Sequence, residues 1–329
     1  MLTRALILRA SSLSPVQKLV RKSRFMRPVV NRFIAGDDLL ESLVVCKTLL
    51  DQGIRITLDY LGENTKSEAE ARTAVGVYCN MLDAVHGFEP TSPLKGANPV
   101  LKPNADVTYP LSQSEPMNIS IKLTQCGLDQ GLDFCLSNLR EVLWRADECS
   151  NFVRIDMESS EYTEGTLTVL EKVWPDFQNT GIVLQSYLYR TDEDVDRIIQ
   201  LKVRCRLVKG AYLEPATVAY SDKSKVDEAY VRQAKKLLKE GFYPAIATQD
   251  EKIIEEIKKF VKNENIGKSR FEFQMLFGIR RDLQIQLQKE GFNVRVYVPF
   301  GDAWYPYFTR RLAERPANLA FIMKAMLRG

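Results

Sequence analysis

The sequence predicts an α/β chain folded as a closed (βα)8 barrel with an N-terminal helical extension. Three observations lead there. Eight short segments rich in β-branched and other apolar residues alternate with segments of helical periodicity, an order that favours a parallel barrel over an open doubly wound sheet. No Gly-x-Gly-x-x-Gly follows any of these strands, which weakens a Rossmann reading, and there is also no Walker-type phosphate loop. The 329 residues suit one such barrel, which needs about 250 residues, plus extensions.

The elements follow in chain order. Residues 1–32 hold eight Lys or Arg and no acid, with Leu, Ile, Val and Phe between them. That pattern fits a presequence, a basic amphipathic helix for an anionic membrane surface, or a short helical extension packed on the barrel. We read residues 1–45 as this basic helical extension and residues 46–329 as the barrel. Asp37 to Leu50 is helical, with Leu39, Leu40, Leu43, Val44 and Cys46 on its apolar side, and Gly53 ends it. Strands are expected at 54–59, 117–123, 152–157, 181–187, 203–209, 243–248, 270–275 and 293–298. Between them lie helices at 66–86, 132–149, 163–173, 191–201, 226–240, 250–263 and 279–290. The stretch 88–116, rich in Pro, Ser and Asn, reads as a long loop. Near the end, Val296 to Gly301 closes the last strand. Asp302 is read as the N-cap of a helix running from Trp304 to Ala313.

Composition narrows the chemistry. A formal charge of +4 marks no nucleic-acid surface. The six cysteines are scattered without a CxxC pair, which fits reduced thiols in a cytosolic compartment. The one histidine, His86, sits at a helix end, so neither a Ser-His-Asp triad nor a His-based metal site is expected. No apolar run approaches the length of about 18 residues that spans a membrane.

Barrels of this class keep their chemistry at the C-terminal ends of the strands. Those ends carry Asp59 with Glu63, Lys122, Asp156, Gln185, Lys209, Gln249, Gln274 and Tyr297. Each alone is ordinary solvation of a strand end; together they make a rim suited to an anionic substrate or cofactor. On the last helix Tyr307, Arg310, Arg311 and Glu314 fall on one face. Two adjacent guanidinium forks suit a carboxylate or phosphate, and Glu314 can pair with either; a solvated charged face is the plainer reading. The rim has no histidine and no serine or cysteine elbow, which points to chemistry carried by a cofactor.

From about residue 35 onward the sequence resembles the monofunctional, flavin-dependent proline dehydrogenases of bacteria. The resemblance rests on Tyr307-x-x-Arg310-Arg311-x-x-Glu314, Asp59 to Glu63, Ser120 to Leu123, Ile155 to Glu158, Arg206 to Tyr212, Phe271 to Leu276 and Tyr297 to Gly301. It implies a distorted (βα)8 TIM barrel with FAD at its C-terminal rim. The implied reaction oxidises L-proline to Δ1-pyrroline-5-carboxylate, with electrons passing to a membrane quinone. By the same resemblance Arg310, Arg311 and Lys122 would grip the proline carboxylate. Glu63 would pair with one Arg and close the pocket. Tyr297 and Leu207 would pack on the ring, Tyr212 would enclose it, and Asp156 and Asp59 would be polar pocket residues. For the flavin, Arg206 would lie near the reactive nitrogen and Gln185 would bond the ring edge. Val208, Lys209, Gly210 and Ala211 would approach the ribityl and phosphate portion, with Thr248, Gln249 and Gln274 completing the site. The family usually has His where this chain has Gln249, so an altered FAD affinity or potential is expected. A separate pyrroline-5-carboxylate dehydrogenase would take the product, and no nucleic acid is expected as a partner. The expected location is cytoplasmic, with peripheral contact at the inner face of the membrane as a further option. Hydroxyproline or pipecolate as substrate, a folate-and-flavin barrel, and a non-catalytic scaffold are the competing readings.

Overall fold

A computed structural model describes residues 27–86 and 115–314, with side chains to Arg311. Residues 88–114 of the expected 88–116 loop, most of the basic segment and the Glu314 side chain lie outside the described residues. In chain order the elements are α1 (Arg27–Val30), α2 (Leu39–Leu50), β1 (Arg55–Tyr60), α3 (Glu68–His86), β2 (Met117–Ile121), α4 (Leu132–Glu148), β3 (Val153–Ile155), α5 (Thr163–Val173) and β4 (Thr180–Gln185). They continue with α6 (Thr191–Leu201), β5 (Arg204–Val208), α7 (Lys223–Glu240), β6 (Phe242–Ala247), α8 (Glu251–Asn263), β7 (Glu272–Leu276), α9 (Arg281–Lys289), β8 (Asn293–Phe300) and α10 (Tyr305–Glu314). The eight strands close into one parallel barrel in sequence order, with β8 pairing back on β1. The predicted fold class is the observed one.

Three local expectations need correction. Strand β2 stops at Ile121 because the chain then turns: the Gln125 and Cys126 N–H groups both bond the Lys122 carbonyl. Lys122 therefore sits just beyond the strand, as does Asp156 after the three-residue β3. Asp302 lies in a turn, and α10 starts at Tyr305, so Asp302 is not the helix cap. The helix α2 runs through the expected boundary at residue 45.

The apolar core lies outside the barrel, between sheet and helices. Ile56, Leu58, Ile119, Ile121, Val153, Ile155, Leu207, Phe273, Val294 and Val296 all join it. Their alternate neighbours face the lumen, which is charged where such barrels commonly hold branched aliphatics. Arg295 donates to Glu272 at 2.9 Å and to the Ile56 carbonyl at 2.7 Å, while Arg204 meets Glu115 at 2.6 Å. Gly181 makes room for this floor: a Cβ there would lie 2.4 Å from the Arg204 carbonyl and 2.7 Å from the Arg154 guanidinium.

Burial pushes the Glu272 carboxyl up, but Arg295 and Arg204 outweigh it and hold it at about 2. A carboxyl held this low stabilises the fold above its unfolded value near 4.5, and that contribution is lost as pH falls through about 2. Glu272→Ala is expected to destabilise the fold by about 3–5 kcal/mol, because it strands the buried Arg295. Urea unfolding at neutral pH measures this, and a loss below 1 kcal/mol, the scale of an exposed pair, would count against a paired floor.

The segment just before α2 fixes the last helix. Val29, Val30, Phe33 and Ile34 pack with Leu61, Trp304, Tyr305, Tyr307 and Phe308 in a second apolar cluster. Backbone bonds from Ala35 to Pro299 (2.9 Å) and from Gly301 to Gly36 (3.0 Å) tie the same segment to β8. Residues 27–36 thus hold α10 over the C-terminal mouth of the barrel.

Candidate active site

The centre of the mouth is Arg206. It stands on the lumen side of β5, and neighbouring strands hold its planar fork. Its NH1 donates to Asp156 at 2.6 Å, its NH2 to the Ser120 hydroxyl at 3.0 Å, and its Nε to Gln274. The Tyr297 ring lies 5.3 Å from the guanidinium, and the Tyr297 hydroxyl donates to the second Asp156 oxygen at 2.8 Å. Asp156 therefore clamps both groups, and Arg206 can swing only if several bonds break at once.

Beside this network, Lys122 donates to Asp59 at 2.7 Å, both side chains being almost fully buried. Complete burial raises the Asp59 carboxyl above its ordinary range; Lys122 opposes this and the Asp156 charge adds to it. Burial works against the Lys122 charge, but Asp59, Asp156 and Glu63 outweigh it and leave that group above its ordinary value.

Helix α10 supplies the far wall. Arg310 pairs with Glu63 at 2.6 Å and sits 5.3 Å over the Tyr212 ring, whose hydroxyl reaches Glu63 at 3.4 Å. Burial disfavours the Arg310 charge, yet Glu63 and Tyr212 raise it beyond titration. Arg311 lies 5.1 Å over Tyr307, and Tyr307 stacks on Tyr297 at 6.3 Å and 12°. Cation and aromatic contacts thus run unbroken from Arg311 to Arg206.

The remaining candidates spread along the β4–β6 side. The Gln185 amide nitrogen donates to the Glu158 carbonyl at 3.1 Å, while its buried Oε1 makes no hydrogen bond among the described residues. Val208 is half-buried at the end of β5. Lys209 is engaged with Asp227 (2.5 Å) and Asp250 (3.1 Å). Gly210 has φ +110°, and a Cβ there would lie 2.3 Å from the Tyr187 ring, so only glycine lets the backbone pass. Ala211 follows at intermediate exposure. The Thr248 hydroxyl accepts from the Asp250 N–H at 3.1 Å and so helps open α8, with Gln249 between the two.

Leu207 does not join the site. It is aligned with Leu184 and Ile246, fully buried in the outer core, on the opposite side of β5 from Arg206. The expected packing on a substrate ring is corrected accordingly. Conversely, sequence reasoning assigned no role to Ser120, Thr124, Glu158 or Tyr307. Glu158 is buried with both oxygens on Thr124, and burial pushes its carboxyl up to about 7 despite those bonds.

The proline dehydrogenase family model matches residues 43–324. This chain belongs to that family. It is 39% identical to the proline dehydrogenase of Deinococcus radiodurans over 100% of this chain and 99% of that one. It is 36% identical to proline dehydrogenase 2 of Bacillus subtilis over 99% of each. The crystal structure of proline utilization A from Bdellovibrio bacteriovorus, inactivated by N-propargylglycine, superposes with a TM-score of 0.76 at 26% identity. That match covers 88% of this chain and 32% of the other, so the chain spans about a third of that larger protein. As a member of the proline dehydrogenase family, the chain is an oxidoreductase.

Proposed function

We propose that the protein oxidises L-proline to Δ1-pyrroline-5-carboxylate with FAD held at the C-terminal mouth, a quinone then taking the electrons. The observation that carries this reading is the unbroken line from Arg311 on α10, through Tyr307 and Tyr297, to the clamped Arg206, with Arg310 beside it on the same helix, paired with Glu63 over the Tyr212 ring. This arrangement supports reading the cations at the α10 end as the grip on a small carboxylate and the fixed Arg206 cation as the cofactor's.

The residues present fit FAD. The buried Gln185 Oε1 offers an acceptor for a ring N–H, and the Gly210 passage leaves backbone close to the mouth where a side chain would block it. Arg206 offers permanent positive charge, which stabilises an anionic reduced ring. Gln185, Arg206, Gln274, Thr248, Gln249 and the Val208–Ala211 backbone would hold the group, and the Lys209 ammonium, held by Asp227 and Asp250, would also be open to a phosphate nearby. When bound, FAD supplies the hydride acceptor.

The chain's own part is orientation. Arg310, Arg311 and Lys122 bind the substrate carboxylate, and Glu63 and Asp59 keep Arg310 and Lys122 in place. Tyr297 and Tyr212 give the ring an aromatic surface, and Asp156 fixes Tyr297. With Leu207 turned outward, ring-substituent tolerance rests on Tyr297 and Tyr212 and not on Leu207. The product passes to a separate pyrroline-5-carboxylate dehydrogenase. Contact with a membrane quinone is read as peripheral; among the described residues no helix is long and apolar enough to cross a membrane.

Anaerobic addition of L-proline to the FAD-loaded protein is expected to bleach the oxidised-flavin absorbance. A flavin that stays oxidised with L-proline would overturn the substrate assignment.

A further inference from the structure

We propose that Thr124, its hydroxyl held by Glu158, is a positioning residue that sets the Glu63–Arg310 pair at the mouth of the barrel. The catalytic consequence rests on the reading above; the geometric claim does not.

Glu63 sits in the β1–α3 loop, and the turn after β2 braces that loop on both sides of it. Behind Glu63, the Asn64 N–H donates to the Thr124 hydroxyl at 3.0 Å, and the Thr65 hydroxyl donates to the Thr124 carbonyl at 2.6 Å. Ahead of it, Gly62 lies against Gln125, where a Cβ would come 2.3 Å from the amide nitrogen. Gln125 is itself fixed by a 2.6 Å bond from Tyr78. Asn64 has φ +54°, a left-handed conformation that a non-glycine residue keeps only when its surroundings hold it.

Glu158 decides which way the Thr124 hydroxyl points. A hydroxyl has one proton to give. Here it goes to Glu158 at 2.6 Å, while the Thr124 N–H goes to the other Glu158 oxygen at 3.1 Å. The hydroxyl lone pairs are then left for the Asn64 N–H. The links therefore run from the end of β3, through the β2 turn, into the β1 loop, and across the mouth to α10. Neither the Thr124 side chain nor the Glu158 carboxylate hydrogen-bonds to the Arg206, Asp156, Tyr297 or Lys122 side chains, so the hydrogen-bonded route from Thr124 to the mouth runs through the Glu63 loop.

The test combines amide hydrogen exchange of the 61–66 segment with steady-state kinetics, in the FAD-loaded protein and its Thr124→Val, Thr124→Ser, Glu63→Gln and double variants. Thr124→Val is expected to speed Asn64 exchange and raise KM for L-proline about tenfold, the scale of one lost hydrogen bond, with kcat nearly unchanged. Thr124→Ser keeps the hydroxyl and should restore both. In the Glu63→Gln background, Thr124→Val should add less than about twofold to KM, because coupled positions are not additive. Equal factors in both backgrounds, or unchanged exchange in Thr124→Val, would overturn the proposal. If Thr124→Val does not fold, Glu158→Gln, which removes one of the two acceptors at unchanged size, carries the same readouts. If the parent protein does not oxidise L-proline, the substrate reading fails and exchange alone decides the positioning claim.

Discussion

Arg206→Met is expected to lower the rate of flavin reduction by L-proline about 100- to 1,000-fold. The magnitude is that of removing one fixed electrostatic donor from a site where charge develops in the reaction. Arg206 is suited to that role because it needs no reorganisation: Asp156, Ser120 and Gln274 already occupy its donors, and the Tyr297 ring covers one face. The same bonds make the variant informative in a second way. Removing the cation leaves Asp156 with the Tyr297 hydroxyl but without its ion-pair partner, so a loss of stability accompanies the loss of rate. Arg206→Lys separates the two effects, since it returns positive charge without the planar fork. It should recover stability and a more positive flavin potential than the Met variant, while remaining slower than the parent. Rapid-mixing kinetics of flavin reduction and a potential measured on the bound flavin are the checks. An Arg206→Met protein that reduces its flavin at the parent rate would remove Arg206 from the mechanism.

The order of the barrel was legible because each strand keeps an apolar run on one side. The polarity of the other side was legible too, though harder to interpret. Arg204-Cys205-Arg206-Leu207 and Asn293-Val294-Arg295-Val296-Tyr297 alternate strictly, which a sequence reader takes for a solvated face. Closure of the sheet turns that face into the lumen, and only the closed barrel shows that Arg295 meets Glu272 and that Arg204 meets Glu115. Leu207 was misplaced for the same reason. A residue next to Arg206 in a motif lies on the opposite side of its strand, since side chains alternate with period two. Strand ends were misjudged where an apolar pattern outlasts the pairing: Ile121-Lys122-Leu123 reads as strand, but the backbone has already turned at Lys122. Long-range partners were beyond spacing arguments altogether. On its own helix the natural mate for Arg310 is Glu314, one turn on, whereas the fold gives it Glu63 from the first β–α loop, 247 residues away.

That distant pairing leads to the second large expected effect. Arg310→Met should raise KM for L-proline about ten- to a hundredfold while leaving kcat within a few-fold. A charge-assisted hydrogen bond to a carboxylate is worth about 1.5–3 kcal/mol, and a factor of ten corresponds to about 1.4 kcal/mol. The split between the two constants follows from the chemistry. The carboxylate carries the same charge before and during hydride transfer, so Arg310 holds ground state and transition state alike, and such uniform binding appears in KM. Glu63→Gln should give a smaller rise, because the guanidinium stays in place without its counter-charge. Prolinamide, which lacks the carboxylate, supplies the discriminating control. It should bind the parent weakly and lose little further affinity in Arg310→Met. Equal losses for L-proline and prolinamide would mean that Arg310 shapes the pocket through Glu63 and Tyr212 without contacting the substrate carboxylate. An unchanged KM for L-proline would remove Arg310 from substrate binding and leave Arg311 and Lys122 as the remaining cations for it.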